Sequence, residues 1–425
     1  MVKTSKFLAV MLVILWARSA SGNTISAATC NTNDVQAAIN SANDGDVVVI
    51  PSGSCTWTSG ITTTKQIHIT AQTVVGPPNE TVVITNSAGS SDLLTMTTGN
   101  SFHVQISGIK FLRGNGTGGD ITMNGSGSKV ALVDNVYIRV DDNFNILHHV
   151  FWNTVGGVWW NSTLESLTPG GGNGPGAGSG SFVMKSPKPW LAASTWGTQD
   201  TNGDQNVYFE DMNFNYIYNQ ALDCDDNCRF VVRHSNILDS QFLHHGTTSL
   251  EGGRQSEFYN NNFEYQSASF GDTYHDVNLN RYIWFRAGTA YIHDNAVQSI
   301  SSQTWGTKTS FVFIDESLTR PGSGAPCQTT YPGTHWPGQG ANGTSQISDP
   351  VHIWNNTGTW TWNTDDQPDQ CGHGLSTANF FILNRDVFLG SPANYTPYPY
   401  PHPLRQQGSS SQAPAPPTAL SLTTK

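Results

Sequence analysis

One short pattern returns four times between residues 207 and 295: apolar residues, then Asn, then another apolar residue. The copies are Val207–Phe214 around Asn213, Phe230–Ile237 around Asn236, Glu257–Phe263 around Asn261, and Tyr291–Val297 around Asn295. The marker asparagines stand about 23, 25 and 34 residues apart. A unit that short cannot bury its own apolar face, so copies must stack into a solenoid, with one larger insertion. Leu132–Tyr137 around Asn135 and His352–Asn356 extend the pattern on either side. Asn suits the turns of such a stack. It tolerates a left-handed backbone, and stacked copies can hydrogen-bond one another along the axis. Charged residues are only 12% of the chain, and 42 glycines contribute to the rest. That composition favours strands and tight turns over helices.

The start of the stack is legible at residues 30–57. Val35, Ala38, Ile39 and Ala42 fall at helical spacing, which predicts a short amphipathic helix over about 34–44, capped by Asp34 and ended by Gly45. Val47 to Ile50 then reads as a strand stopped by Pro51. A helix there covers the open end of the stack, where unpaired backbone would invite edge-to-edge pairing. The run Asp34-Val-Gln-Ala-Ala-Ile-Asn-Ser-Ala-Asn-Asp-Gly-Asp-Val-Val-Val-Ile-Pro-Ser-Gly-Ser-Cys-Thr-Trp57 resembles the N-terminal cap and first rung of pectate-lyase-like proteins. The resemblance implies an all-β fold, a right-handed parallel β-helix with a short N-terminal capping helix. It implies a polysaccharide as the partner and says little about the reaction. The ordered Asn-Thr-Asp, Asp-Asp, Gly-His-Gly and Arg-Ile-Lys series of β-helix polygalacturonases is absent, and Gly372-His373-Gly374 occurs far downstream without it. The Arg-x-Pro-x-x-Arg segment of pectate lyases is missing too, so no catalytic residue is carried over.

Lys3 and Lys6 precede an apolar run from Phe7 to Ala17, followed by Ser19-Ala20-Ser21-Gly22. A positive start, an apolar core and a small-residue exit make residues 1–22 a signal peptide and the protein secreted. That run falls well short of the roughly 20 residues a membrane span takes. The six cysteines form three local couples, Cys30 with Cys55, Cys224 with Cys228 and Cys327 with Cys371. This is the simplest of the pairings an even count in a secreted chain allows. Residues 23–405 are expected to form a single solenoid domain with loops at about 161–196 and 320–349. Residues 406–425 are too polar and proline-rich to order themselves. Just before that tail, Tyr395–Leu404 is expected to lie extended along the outside, and it resembles the terminus of secreted β-helix proteins without an assigned function. The chain carries a formal net charge of −11, and loss of Lys3, Lys6 and Arg18 with the leader makes it more acidic. Such a surface disfavours nucleic acid and anionic membranes, which bind through Lys and Arg.

In a β-helix the interior is filled with side chains, so a site must lie on an outer face or at the turns. Alternation turns Phe209, Val232, Phe258 and Ile292 inward and leaves Glu210, Arg233, Tyr259 and His293 as an outward row, one residue per coil. Such a row suits substrate binding along a sugar chain, or a solvated sheet face with favourable cross-coil pairs. Asp223, Asp225 and Asp226 lie on a short loop that Cys224 and Cys228 would close. They could ligate Ca²⁺, with Asp223 and Asp225 as the metal ligands, supply a catalytic acid at Asp226, or form a polar turn. His245, Arg254 and Arg286 lie near Gly-rich turns and are the remaining catalytic candidates, since Arg or His beside an acidic sugar can assist proton abstraction. Trp159, Trp160, Trp190, Trp196, Trp305, Trp336, Trp354, Trp360 and Trp362 supply rings that could stack on sugars or anchor loops. Two functions fit: a secreted polysaccharide lyase or glycoside hydrolase, or a non-catalytic β-helix scaffold that binds glycan.

Overall fold

The computed structural model describes residues 22–140, 148–154, 156–166, 181–186, 188, 199–217, 220–244, 252–266, 281–300, 310–314, 338–342, 345–364, 366 and 376–406. Their strands stack into three long sheets, one 12-stranded and two 10-stranded, with parallel neighbours throughout. Each coil contributes one strand to each sheet in turn: Val207–Glu210 to the first, Asn213–Asn215 to the second and Leu222–Cys224 to the third. Arg229–Arg233 then returns to the first sheet beside Val207–Glu210. This is a right-handed parallel β-helix, as parallel crossovers of this kind require.

The N-terminal cap is a helix from Thr32 to Ser41 that buries Val35, Ala38 and Ile39. Its start differs from expectation. Asn31 is the N-cap, and Asp34 lies in the first turn, where its carboxylate favours the helix dipole and accepts from the Thr29 hydroxyl at 2.5 Å. The C-cap is Ala42, and Gly45, at φ +87°, serves the turn that follows. Lys65 covers the helix end, its ammonium donating to the carbonyls of Ile39, Asn40 and Ala42 at 2.9, 2.6 and 2.6 Å. A strand not foreseen, Thr24–Ser26, precedes the helix and pairs with Val47–Val49.

The interior is a continuous column of apolar side chains. In the middle coils it becomes an aromatic stack. Trp159 packs edge-on against Phe182, Phe182 against Phe209, and Phe214 against Phe242, each pair with ring centroids 5.1 Å apart. Phe242 meets Phe258 at 5.3 Å, and Phe263 meets Phe311 at 4.8 Å. Trp159 is fully buried in this column, so it is a core residue and not a sugar platform.

The asparagine marker resolves into two adjacent positions. At the corner between the first and second sheets, the residue after each strand is left-handed: Gly108, Asn135, Asn161, Asp211, His234, Asn260, Asp294 and Asn355, all with φ between +49° and +71°. The next residue points inward. There Asn261, Asn295 and Asn356 form a buried ladder. Asn295 Oδ1 accepts from Asn261 Nδ2 at 3.0 Å, and Asn356 Oδ1 accepts from Asn295 Nδ2 at 2.8 Å. Asn295 Nδ2 also donates to the Phe258 carbonyl at 2.9 Å. Asn213 and Asn236 are not part of it. They sit one residue further on, in the second sheet, in register with Asn262. Replacing Asn295 by alanine removes the acceptor of the Asn261 backbone N–H, bonded at 3.1 Å, and the side-chain donor to the Phe258 carbonyl, and is expected to cost about 2–3 kcal/mol in denaturant unfolding. A change below about 0.5 kcal/mol would show that the ladder is incidental.

The stretch 161–196 is not one loop. Strands Thr163–Glu165 and Phe182–Lys185 carry the second and third sheets through it. Within 320–349, Gln339–Asn342 and Ser345–Ser348 pair as an antiparallel hairpin. Disulfides join Cys30 to Cys55 and Cys224 to Cys228. Cys327 and Cys371 lie outside the described residues, as does the stretch read as a signal peptide up to residue 21. Among the described residues, no helix is long and apolar enough to cross a membrane.

Candidate functional site

Three consecutive coils turn from the third sheet into the first at one corner, and their charged turns stack there. The first turn runs from Asp225 to Cys228, the second ends in Gly252-Gly253-Arg254, and the third is Arg286-Ala287-Gly288. Backbone hydrogen bonds fix their order. Asn227 N–H donates to the Gly252 carbonyl at 3.0 Å, Arg254 N–H to Cys228 at 2.9 Å, and Thr289 N–H to Arg254 at 3.1 Å. Arg286 N–H donates to the His244 carbonyl at 2.9 Å. The glycines are needed because the coils touch here. A Cβ on Gly253 would lie 2.4 Å from the His244 ring, and one on Gly288, at φ +64°, would lie 2.3 Å from the Arg254 carbonyl oxygen.

Charge is concentrated at this corner. The Lys185 ammonium reaches Asp225 at 3.2 Å and Asp226 at 2.7 Å. Burial pulls Lys185 down, but its bonds to Asp226 and Asp225 outweigh that and hold its pKa above the ordinary value. Arg254 is buried and pairs with Asp349 at 2.9 Å. On the adjoining outer face of the third sheet, Trp284 lies 3.6 Å under the Arg281 guanidinium and 5.2 Å from that of Arg286. Trp284 stands there with Leu243 and Phe313 in a small buried apolar cluster.

Asp226, Arg254 and Arg286 therefore lie on successive turns of one corner. His245, which follows His244 at the end of a third-sheet strand, lies outside the described residues. The Ca²⁺ reading does not fit the residues present. The Lys185 ammonium takes the carboxylates of Asp225 and Asp226, and Asp223 is buried on the strand Leu222–Cys224. Among the described residues, no three His, Cys, Asp or Glu side chains converge as a metal site would need. Lys185 and Asp349 were not foreseen, because both fall in stretches read as loops.

The outward row follows the alternation of the strands. Glu210, Arg233, Tyr259 and His293 stand in register on four successive strands of the first sheet, with Trp160 before them and Trp354 after. It is not an open face. All four side chains are buried, because the C-terminal segment after Gly390 runs back along them as a strap. Arg233 bonds Glu210 and donates to the strap carbonyls of Tyr398 at 2.5 Å and Pro399 at 2.8 Å. Glu210 also accepts from His402 N–H at 3.1 Å and Arg405 at 2.9 Å. Tyr400 stacks on His234 with centroids 3.6 Å apart, and its hydroxyl donates to Asp211 at 2.6 Å. His293 is sandwiched between Tyr259 and Trp354, at 4.9 and 4.1 Å.

A second outward row, two residues earlier on the same strands, completes a buried polar network. Glu257 accepts from the strap's Tyr395 hydroxyl at 2.7 Å, and that oxygen lies 3.0 Å from His293 Nε2. Two residues earlier again on its strand, Arg229, wholly buried, donates to Asn206 at 2.8 Å and also bonds Gln255. Burial, and next the neighbouring Arg254, pull Arg229 down to about 10. Burial pushes the Glu257 carboxyl up to about 7, against the Tyr395 hydrogen bond and the charges of Arg229 and Arg233. The same alternation that marked Tyr259 marks Tyr208, Glu257 and Tyr291, so this row was available to sequence reasoning and was missed.

The Glu257 shift carries a sign. A carboxyl raised by folding binds its proton more tightly in the folded state. The stability it adds is complete below its ordinary value of 4.5 and is lost as the pH rises through about 7. The melting temperature of Glu257→Gln is therefore expected to fall less than that of the wild type between pH 5 and pH 8. Parallel curves for the two proteins would contradict the assignment.

No protein-family model and no curated protein matches the chain. A solved structure similar to it is that of a mutant of the PL6 family alginate lyase AlyGC, at 15% identity and a TM-score of 0.31. The match covers 70% of this chain and 40% of that one, so the chain spans well under half of that protein's length. A likeness at that TM-score carries no argument, and the fold rests on the three parallel sheets.

Proposed function

We propose that this chain is a secreted carbohydrate-active enzyme, a polysaccharide lyase or glycoside hydrolase, whose chemistry lies at the corner of Asp226, Arg254 and Arg286. The observation that carries this reading is that those three residues stand on successive turns stacked by backbone hydrogen bonds at one corner. A guanidinium aimed at a sugar carboxylate or a developing oxyanion lowers the cost of charge formed in the transition state. A carboxylate on the neighbouring turn supplies the acid or base. Lys185 positions the two aspartates. Secretion is supported by the disulfides Cys30–Cys55 and Cys224–Cys228, which persist in oxidising compartments.

Incubation of the protein with a panel of neutral and acidic polysaccharides tests the reading. New unsaturated-uronate absorbance identifies a lyase, and new reducing ends without it identify a hydrolase. Product from no polymer overturns the enzyme and favours a second reading, a glycan-binding scaffold. That alternative draws support from the strap, which satisfies the Glu210–His293 row from within the chain. EDTA is expected to leave activity unchanged, because the Lys185 ammonium already occupies the place between Asp225 and Asp226.

A further inference from the structure

The strap runs from Ser391 to Gln406, and its contacts are of two kinds. The first are polar and reach charged groups: Arg233 to the Tyr398 and Pro399 carbonyls, Tyr395 to Glu257, Tyr400 to Asp211, and Arg405 to Glu210 and Asp211, at distances between 2.5 and 2.9 Å. The second are ring contacts, Tyr398 on Tyr208 at 5.6 Å, His402 on Tyr208 at 4.8 Å, and Tyr400 on His234. Hydroxyls, carbonyl oxygens and flat faces placed at coil spacing are also what a sugar chain presents to a protein.

A strap serving only to clamp coils together would do so at lower cost over an apolar face. Burying Glu210, Arg233 and Glu257 incurs a desolvation penalty that their mutual attraction barely repays. The sequence nevertheless places those groups on the outer face, under a segment at the end of the solenoid. The strap joins the last coil through Leu389, Ser391, Ala393 and Asn394, all exposed. With so short a tether its effective concentration over the row is of order millimolar, so a strap of about 0.1 mM intrinsic affinity weakens a competing ligand about tenfold.

We propose that the strap is an intramolecular occupant of a glycan-binding row formed by Glu210, Arg233, Tyr259 and His293, and that the row binds a polysaccharide once the strap is displaced. This rests on the reading of the chain as a polysaccharide-directed protein but not on the corner being catalytic. The row then acts as an extended subsite on the first sheet, closed until the strap is cut or competed away.

The test keeps folding and release separate. A specific protease site replaces Ser391–Asn394, the protein is purified folded, and half of it is cut. Binding to the polysaccharide panel is then measured by affinity electrophoresis for cut and uncut protein. The cut form is expected to bind at least one polymer about tenfold or more tighter than the uncut form. A synthetic peptide of residues 391–406, added to the cut form, should reverse the gain. A second variant avoids cutting: Arg405→Gln with Tyr400→Phe loosens the strap and should give a smaller gain in the same polymer. Equal binding by cut and uncut protein, or a gain that the peptide does not reverse, overturns the proposal. The two readings fail separately. Degradation of a polymer together with equal binding by cut and uncut protein keeps the enzyme and removes the masked row. Tighter binding without degradation keeps the row and removes the enzyme.

Discussion

Replacing Glu210 by alanine is expected to destabilise the protein by about 3–5 kcal/mol, because it leaves the buried Arg233 guanidinium without its carboxylate, while Arg405 keeps Asp211. Glu210 is fully buried and bonds Arg233, Arg405 and the His402 amide. Its loss therefore removes the partner of Arg233 and one of the two carboxylates, with Asp211, that hold the strap's far end. Denaturant unfolding should show the loss as a lower midpoint, and limited proteolysis should cut the chain between residues 391 and 406. Glu210→Gln keeps the shape and part of the hydrogen bonding and should cost less. A loss below about 1 kcal/mol with the strap still protected would mean that the strap is held by its ring contacts and not by charge.

At the corner the larger effect is on activity. Arg286→Gln is expected to lower kcat/KM by about 10²-fold or more, the usual scale for removing a positioned donor from a developing oxyanion. Asp226→Asn should cost about 10²–10⁴-fold if that carboxylate moves the proton. Both substitutions leave the backbone bonds between the stacked turns in place; Asp226→Asn, at a partly exposed site, should change the melting temperature little, and Arg286→Gln, at a buried site, should lower it while the protein stays folded. For Asp226→Asn, a fall in activity matched by a fall in melting temperature would identify the residue as structural.

How far the sequence foretold this arrangement depends on the range over which each feature is set. The outward row was legible because a strand has a period of two and stacked copies share a register, so Phe209 in and Glu210 out fixes the rest. The corner was legible in part. Asp226, Arg254 and Arg286 each lie at a turn beside a strand end, and equivalent turns of a solenoid must stack. Lys185 was not legible, because the glycine-rich stretch beside it hid the strand Phe182–Lys185. The asparagine marker was seen but blurred, since the left-handed corner and the buried ladder occupy adjacent residues and only structure separates Asn213 from Asn261. The landing of the strap is the clearest limit. Local pattern placed Tyr395–Leu404 outside the helix. Nothing local sets which coils it crosses, and Arg233 meets its strap partners 165 and 166 residues away.

Product formation at the corner is the most direct test of the proposed chemistry. Wild-type protein, Arg286→Gln and Asp226→Asn are incubated with the same polysaccharide panel, at matched concentrations of folded protein. The account predicts product from at least one polymer with the wild type and a loss of about 10²-fold or more in both variants. No product from any polymer with the wild type, or equal product from all three proteins, would contradict it.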